Sequence, residues 1–288
     1  MDILARGYCG RLEKKRQDRA LSYRLILFGV QCGLTTIATL AILRETYGPV
    51  ILQKLHAGNR GGRKTGSLWV AFTRPLRMLT RSPIVILSTF YISTAYVYLY
   101  FLLTIFPTFF GERYGFSEGQ IGLTYLGPGI GLLAGQFIVG QFLDRHFEKQ
   151  RDNIIPEDRL KSLLPGNLLI AAGLFWYGWA AQAHTHWALP LAGTAVICLG
   201  VFCVGISTQS YLTDSFELFA ASAIAANTIV RSVLGAVLPL CAPALYERLG
   251  YGWGNSLLGF IVLVFVPVTV LFIRFGEKMR LDARFRIV

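Results

Sequence analysis

Charge is what this sequence has least of. Of 288 residues only 15% are Asp, Glu, Lys or Arg against 53% hydrophobic, and the mean hydropathy is +0.50. A water-soluble domain needs more polar surface than that, which leaves an integral membrane protein as the class. The five cysteines (Cys9, Cys32, Cys198, Cys203, Cys241) form no Cys-x-x-Cys pair and four sit in apolar runs, so neither a zinc site nor a disulfide framework is supported. No Asn-x-Ser/Thr sequon occurs. Gly-x-Ser-x-Gly and His-Glu-x-x-His are missing, as is any pair of carboxylates inside an apolar run, so no enzyme constellation is present. All seven lysines lie outside the apolar runs, which removes the Schiff base a retinal protein needs. Residues 1–22 carry six Lys/Arg but no apolar core of the secretory kind. No motif calls for a cofactor.

What is present is a series of long apolar runs: Leu25–Leu43, Ile84–Phe110, Gly119–Leu143, Leu163–Ala183, Trp187–Leu212, Ser222–Tyr246 and Gly254–Ile273. At about 1.5 Å per helical residue the shortest of them spans about 28 Å, close to a hydrocarbon core. The expected fold is an all-α membrane protein with seven transmembrane helices in a lipid bilayer. The net charge of +12 is carried mostly by segments flanking the runs. That placement argues for membrane flanks and against a nucleic-acid partner.

Between the runs the Lys/Arg number eight in 44–83, one in 111–118, five in 144–162, none in 183–186 or 213–221, one in 247–253 and five in 274–288. The bias puts 44–83, 144–162 and the C-terminal tail on the cytoplasmic side. With an odd number of spans the N-terminus falls outside despite its basic residues. A regular six follows a polar stretch, and one run stands apart before it. The organisation read from this is a basic segment 1–22, a single span 23–43, a basic cytoplasmic linker 44–83, a six-helix bundle 84–275 and a cytoplasmic tail 276–288.

Several short stretches carry a resemblance. Leu43-Arg44-Glu45-Thr46-Tyr47-Gly48-Pro49-Val50 and Arg74-Pro75-Leu76-Arg77 resemble the segments after span six and before span seven of fungal drug:proton antiporters in the major facilitator superfamily. Gly140-Gln141-Phe142-Leu143-Asp144-Arg145 resembles the second-half copy of that superfamily's G-x-L-a-D-R signature. Phe175-Trp176-Tyr177-Gly178-Trp179, Ala225-Ala226-Asn227-Thr228 with Arg231-Ser232, and Leu249 to Ser256 are similar to the same subfamily. Matching covers roughly residues 23–280. Two six-span halves joined by a long basic loop are that superfamily's plan. The resemblance therefore identifies the first run with the sixth span and the rest with the C-terminal six-helix bundle.

The resemblance implies a proton-coupled efflux transporter of small amphipathic molecules, drugs or secondary metabolites, in the plasma membrane. It also implies truncation, because residues 1–22 match nothing in the family and a first half is missing. Alternating access needs two bundles, so the partner is a matching N-terminal half or a second copy, and a non-transporting fragment is the alternative. By the same resemblance Asp144 sits against a helix N-terminus and Arg145 holds the cytoplasmic gate, with Gly140 part of the signature. Asp144-Arg145-His146 also resembles the triplet ending the third span of heptahelical receptors. Those receptors have a short first loop where about 40 residues intervene here, and the last run lacks Asn-Pro-x-x-Tyr.

Other candidates come from the residues themselves. Arg231 lies well inside its run, at least nine residues from either flank. An Arg there costs about 2.5–3.5 kcal/mol to insert, so it needs a polar cavity or a partner. Asn227, one turn earlier, shares its face. Tyr91 and Tyr96, with Tyr98 and Tyr100, are candidates to line a substrate surface, as are Ser207 and Gln209. Gly127, Gly131 and Gly135 recur at spacing four beside Gly129 and mark a close helix–helix contact, with a kink expected at Pro128. Two near-misses carry nothing. Gly58-Asn-Arg-Gly-Gly-Arg63-Lys64-Thr65 has Arg63 where a phosphate loop needs glycine, and His184 with His186 reads as an interfacial turn rather than a metal site.

Overall fold

A computed structural model describes residues 30–31, 33–39, 68–148, 156–216 and 219–281. The chain divides into two compact units, 1–65 and 66–288. In the first unit residues 33–39 are helical, and the threonines bond back along the helix, Thr35 Oγ1 donating to Gln31 O at 3.0 Å and Thr39 Oγ1 to Thr35 O at 2.7 Å. Bonding back to a carbonyl four residues earlier is one way a hydroxyl is satisfied in an apolar helix. Residues 30 and 31 are helical as well, and the remainder of 1–65, including the phosphate-loop near-miss, lies outside the described residues.

The second unit is helical throughout its described residues. It opens with α1 (Leu68–Arg81), which lies inside the stretch expected as basic linker. Its Met78 is wholly buried and Arg74, one turn earlier, lies 5.1 Å over the Phe219 ring, while Leu76 and Arg77 are exposed, so the segment is a helix laid along the bundle. The corner into α2 (Pro83–Tyr114) is one residue wide. Ser82 turns to φ −102°, its N–H closing the last turn of α1 on Met78 O at 3.0 Å, and Pro83, with no N–H to give, starts the new helix. α2 ends at Gly115 in the left-handed region, φ 64°. Gly115 N–H reaches Gly111 O and Phe116 N–H reaches Phe110 O, while the Phe110 and Phe116 rings stack at 5.8 Å across the cap.

The next run is two helices, α3 (Glu118–Thr124) and α4 (Leu126–Glu148). Ser117 and Gln120 form a capping box at the start of α3. The break falls at Tyr125, three residues before Pro128, whose ring nitrogen cannot bond the carbonyl of Thr124. A 3-10 turn, Pro156–Ser162, leads into α5 (Leu163–Gln182), followed by α6 (Ala188–Phe216), α7 (Ala220–Val237), a 3-10 turn at Leu238–Cys241 and α8 (Ala242–Leu281).

Five stretches among the described residues are long and apolar enough to cross a membrane: Pro83–Tyr114, Glu118–Gln141, Asp158–Gln182, Ala188–Phe216 and Ala220–Arg274. The last has 55 residues, and at about 1.5 Å each it is far longer than a bilayer core of about 30 Å. It is broken at Gly250, where φ 72° and ψ 172° belong to a region open essentially to glycine alone.

α2 is the most enclosed helix, burying Tyr91, Ile92, Leu102, Phe106, Phe109 and Phe110 among others. The α5–α6 contact is built on small residues. A Cβ on Gly200 would lie 2.7 Å from Gly166 O, and one on Gly193 would lie 2.9 Å from Tyr177 N, so the two backbones touch only because both positions are glycine. α4 packs on the other side of α6, and α8 on α5.

Candidate functional site

α2 and α7 lie side by side and run in the same direction. Val85 packs in one cluster with Ala223 and Ala226, Arg231 meets Tyr96, and Gly235 meets Tyr100, the pairs advancing together along both helices. The Arg231 guanidinium carbon is 4.2 Å from the centre of the Tyr96 ring, inside the roughly 6 Å range of a cation–π contact. Behind the ring is α6. A Cβ on Gly205 would stand 3.7 Å from both Cε2 and the hydroxyl of Tyr96. The Tyr96 ring is thus held between a bare patch of α6 and the cation of α7.

Asn227, one turn before Arg231, is 1% exposed, and its Oδ1 has no hydrogen-bond partner among the described residues. Gln209 follows Gly205 by one helical turn on the same side of α6 and is half-buried. No carboxylate pairs with Arg231 among the described residues. Asp214, the nearest described acid before it in sequence, is engaged by Arg159 of the 3-10 turn, and Glu247, after it, makes no ion pair with it. The arrangement is a junction at mid-helix depth where α2, α6 and α7 meet, called the groove below, bringing together a guanidinium, a ring face and the unpaired Oδ1 of the buried Asn227.

Two of the residues expected to line a substrate surface lie elsewhere. Tyr91 is 3% exposed, and its hydroxyl joins Thr269 Oγ1 at 2.9 Å and the Asn167 amide, which also donates to Thr269 at 3.2 Å. This triad ties α2, α5 and α8 together inside the bundle. Beside it a small cavity lined by Tyr91, Tyr98, Asn167 and Val262 has room for about one water. Ser207 is wholly buried and donates to Cys203 O of its own helix at 2.8 Å. Tyr91 and Ser207 therefore have interior roles, while Arg231, Asn227 and Tyr96 come together with Gln209 close by.

The α4 glycines face α6. A Cβ on Gly127 would meet the Leu191 side chain, one on Gly131 would overlap the Ala195 carbonyl, and one on Gly135 would lie 2.9 Å from Phe202 Cβ, whereas Gly129 faces open space. Gly140 also has nothing within 4 Å of such an atom. Asp144 and Arg145 fall in the last turns of α4, and their side chains lie outside the described residues.

At the opposite end of the bundle from α1, His184 takes φ 51°, and its Nδ1 accepts from Arg113 Nε at 3.2 Å. Arg113 also donates to Gln182 O at 3.3 Å, and its guanidinium stands 5.4 Å over Tyr251. His186 lies against Trp187, ring centres 5.1 Å apart, so the two histidines serve different contacts. The Asn167 triad has a sequence signal, an amide near the start of an apolar run. The Arg113–His184 contact, 71 residues apart, left no sequence signal.

Comparison with known proteins gives the architecture its setting. The chain is 39% identical to the MFS-type transporter penM of Penicillium rubens, over 94% of this chain and 57% of that protein. It is 40% identical to the MFS-type transporter tndD of Aspergillus flavipes, over 94% of this chain and 54% of tndD. With the efflux pump radE of Floropilus chiversii the identity is 37%, over 91% and 52%. The chain thus spans about half the length of the curated relatives it matches. The family profile of the Major Facilitator Superfamily matches residues 19–239, which includes every helix of the groove, and the chain belongs to that superfamily of membrane transporters.

Proposed function

We propose that the chain supplies the sixth span and the C-terminal bundle of a proton-coupled efflux transporter for small amphipathic molecules, acting in the plasma membrane. Seven spans follow from counting the 55-residue stretch as two, reversed at Gly250, and adding the apolar run 25–43. The cytoplasmic side is the one bearing α1, the 144–162 loop and the tail, where basic residues concentrate. Transport of this type rocks two bundles about a midplane site, so a second bundle comes from a matching N-terminal half or from another copy. Asp144 and Arg145 then form its cytoplasmic latch.

The observation that carries this reading is Arg231. A guanidinium is placed deep in an apolar helix, covered on one face by a ring and without a carboxylate partner among the described residues. Tyr96, Asn227 and Gln209 supply the aromatic surface and polar contacts around it. The test is efflux of a fluorescent amphiphile from cells lacking their own pumps, with the chain expressed alone and beside the N-terminal half of a relative. Efflux is expected only in the paired case. Arg231→Lys should lower it at unchanged membrane abundance, because a point charge replaces the planar fork. Full efflux with Arg231→Ala would remove the groove from the pathway. Labelling a cysteine at the exposed Thr80 from outside intact cells would overturn the sidedness.

A further inference from the structure

Arg231 is the one charged residue in any of the seven apolar runs, and none of them contains Asp or Glu. No carboxylate pairs with it among the described residues either, Asp214 being engaged by Arg159. Its cation–π contact with Tyr96 covers one face of the guanidinium and leaves the donors at its edge without a hydrogen-bond partner among the described residues. A guanidinium presents five N–H donors and no acceptor, in a fork that fits two oxygens of a carboxylate or of a delocalised oxyanion.

Resting on the reading above, we propose that the groove selects organic acids. An aryl or alkyl anion places its charged oxygens on the edge of Arg231 and its apolar body over the neighbouring aromatic surface of α2. Charge balance drives the choice. A cationic amphiphile brings a second positive charge beside Arg231, and a neutral one leaves the cation uncompensated. The buried Asn227 Oδ1, unpaired among the described residues, accepts from a water that bridges it to the bound anion. Lipid headgroups are a poor source of the anion. Arg231 lies nine residues from Ser222 at the near end of its run, about 14 Å along the helix axis, which is beyond the level where a phosphate sits.

The test uses three probes sharing one naphthalene body: naphthalene-2-carboxylate, its methyl ester, and a naphthyl trimethylammonium. Binding is measured by fluorescence on the full chain reconstituted in phosphatidylcholine vesicles, alone and beside the N-terminal half of a relative. The carboxylate should bind about tenfold tighter than the ester, the usual worth of one charge-assisted pair, and the ammonium weakest. Arg231→Gln should erase that preference, Arg231→Lys should keep part of it, and Ser207→Ala, at a buried hydroxyl that bonds within its own helix, should leave it intact.

Equal binding of carboxylate and ester, tighter binding of the ammonium, or no binding of any probe in either preparation overturns the assignment. Loss of carboxylate binding in vesicles enriched in phosphatidylglycerol assigns the anion to lipid and overturns it as a substrate. The two readings fail differently. If Arg231→Gln weakens all three probes alike, the groove remains the binding site and the acid selectivity falls. If the probes bind and Arg231→Gln changes none of them, the groove itself is wrong.

Discussion

Two helix contacts within the second unit are made in opposite ways. Between α5 and α6, glycines bring backbone against backbone, Gly200 on Gly166 and Gly193 on Tyr177, and no side chain separates them. Between α2 and α7 the contact at mid-helix is an aromatic ring under a guanidinium, with the Asn227 Oδ1 buried and unpaired among the described residues. The first contact leaves no room for an added side chain, although the Tyr177 hydroxyl beside it is buried without a partner among the described residues. The second carries a guanidinium, a charge that a membrane helix keeps where a partner or a polar cavity receives it. A rigid seam and a receptive groove therefore share α6, whose Gly200 faces α5 and whose Gly205 faces Tyr96.

The comparison breaks most severely at the seam. Gly200→Val puts branched carbon where the Gly166 carbonyl and the Ile170 backbone already stand, and overpacking of that kind costs about 3 kcal/mol. Membrane abundance and the thermal aggregation midpoint in detergent should both fall. A variant of normal stability would show that α5 and α6 separate freely, and the seam would not be rigid.

Next in size is the groove. Arg231→Lys in a paired, transporting assembly should cost about tenfold in efflux with abundance unchanged, the size of one lost charge-assisted hydrogen bond. The contrast is sharpest when the same detergent melt is run on both variants. Gly200→Val should move the midpoint and Arg231→Lys should not.

A smaller effect is expected at the triad, which is polar yet belongs with the seam. Asn167→Leu leaves the Tyr91–Thr269 hydrogen bond and removes the two the amide donates, so stability should drop by about 1 kcal/mol, read as a lower aggregation midpoint. Probe binding in the groove should be unaffected. Altered binding would show that the triad and groove are coupled through α2.

The least effect belongs to Ser207→Ala. Among the described residues its hydroxyl bonds only to Cys203 O, a carbonyl of its own helix, so melt and efflux should both change by less than about 0.5 kcal/mol. A large loss of efflux would return Ser207 to the substrate path.

The apolar runs were legible because a segment that crosses lipid must hydrogen-bond within itself and be apolar outside, and both demands are local. Ile84–Phe110 falls inside α2, and Leu163–Ala183 matches α5 to within one residue. The segment 68–81 was not legible as a helix. Its three arginines dominate the count, while the burial of Met78 depends on α7 being there to receive it. The α4 glycines were visible at spacing four. Those of α5 and α6, at Gly166, Gly173, Gly193 and Gly200, recur at spacing seven inside each helix and were passed over.

For the candidate site the division is similar. Arg231 stood out in the sequence because one charge in an apolar run has a cost that can be stated without coordinates. Asn227 followed from helical spacing. Which tyrosine served the groove did not, since Tyr91 and Tyr96 are alike in type and lie five residues apart on one helix. At about 100° per residue they point in different directions, Tyr91 to the amide of Asn167 and Tyr96 to Arg231. The sequence by itself determined the class, the helices and the buried cation, since each follows from transfer out of water residue by residue. Only the tertiary structure decided which polar groups meet, because a hydrogen bond or a cation–π contact is set by angle and distance between helices far apart in the chain.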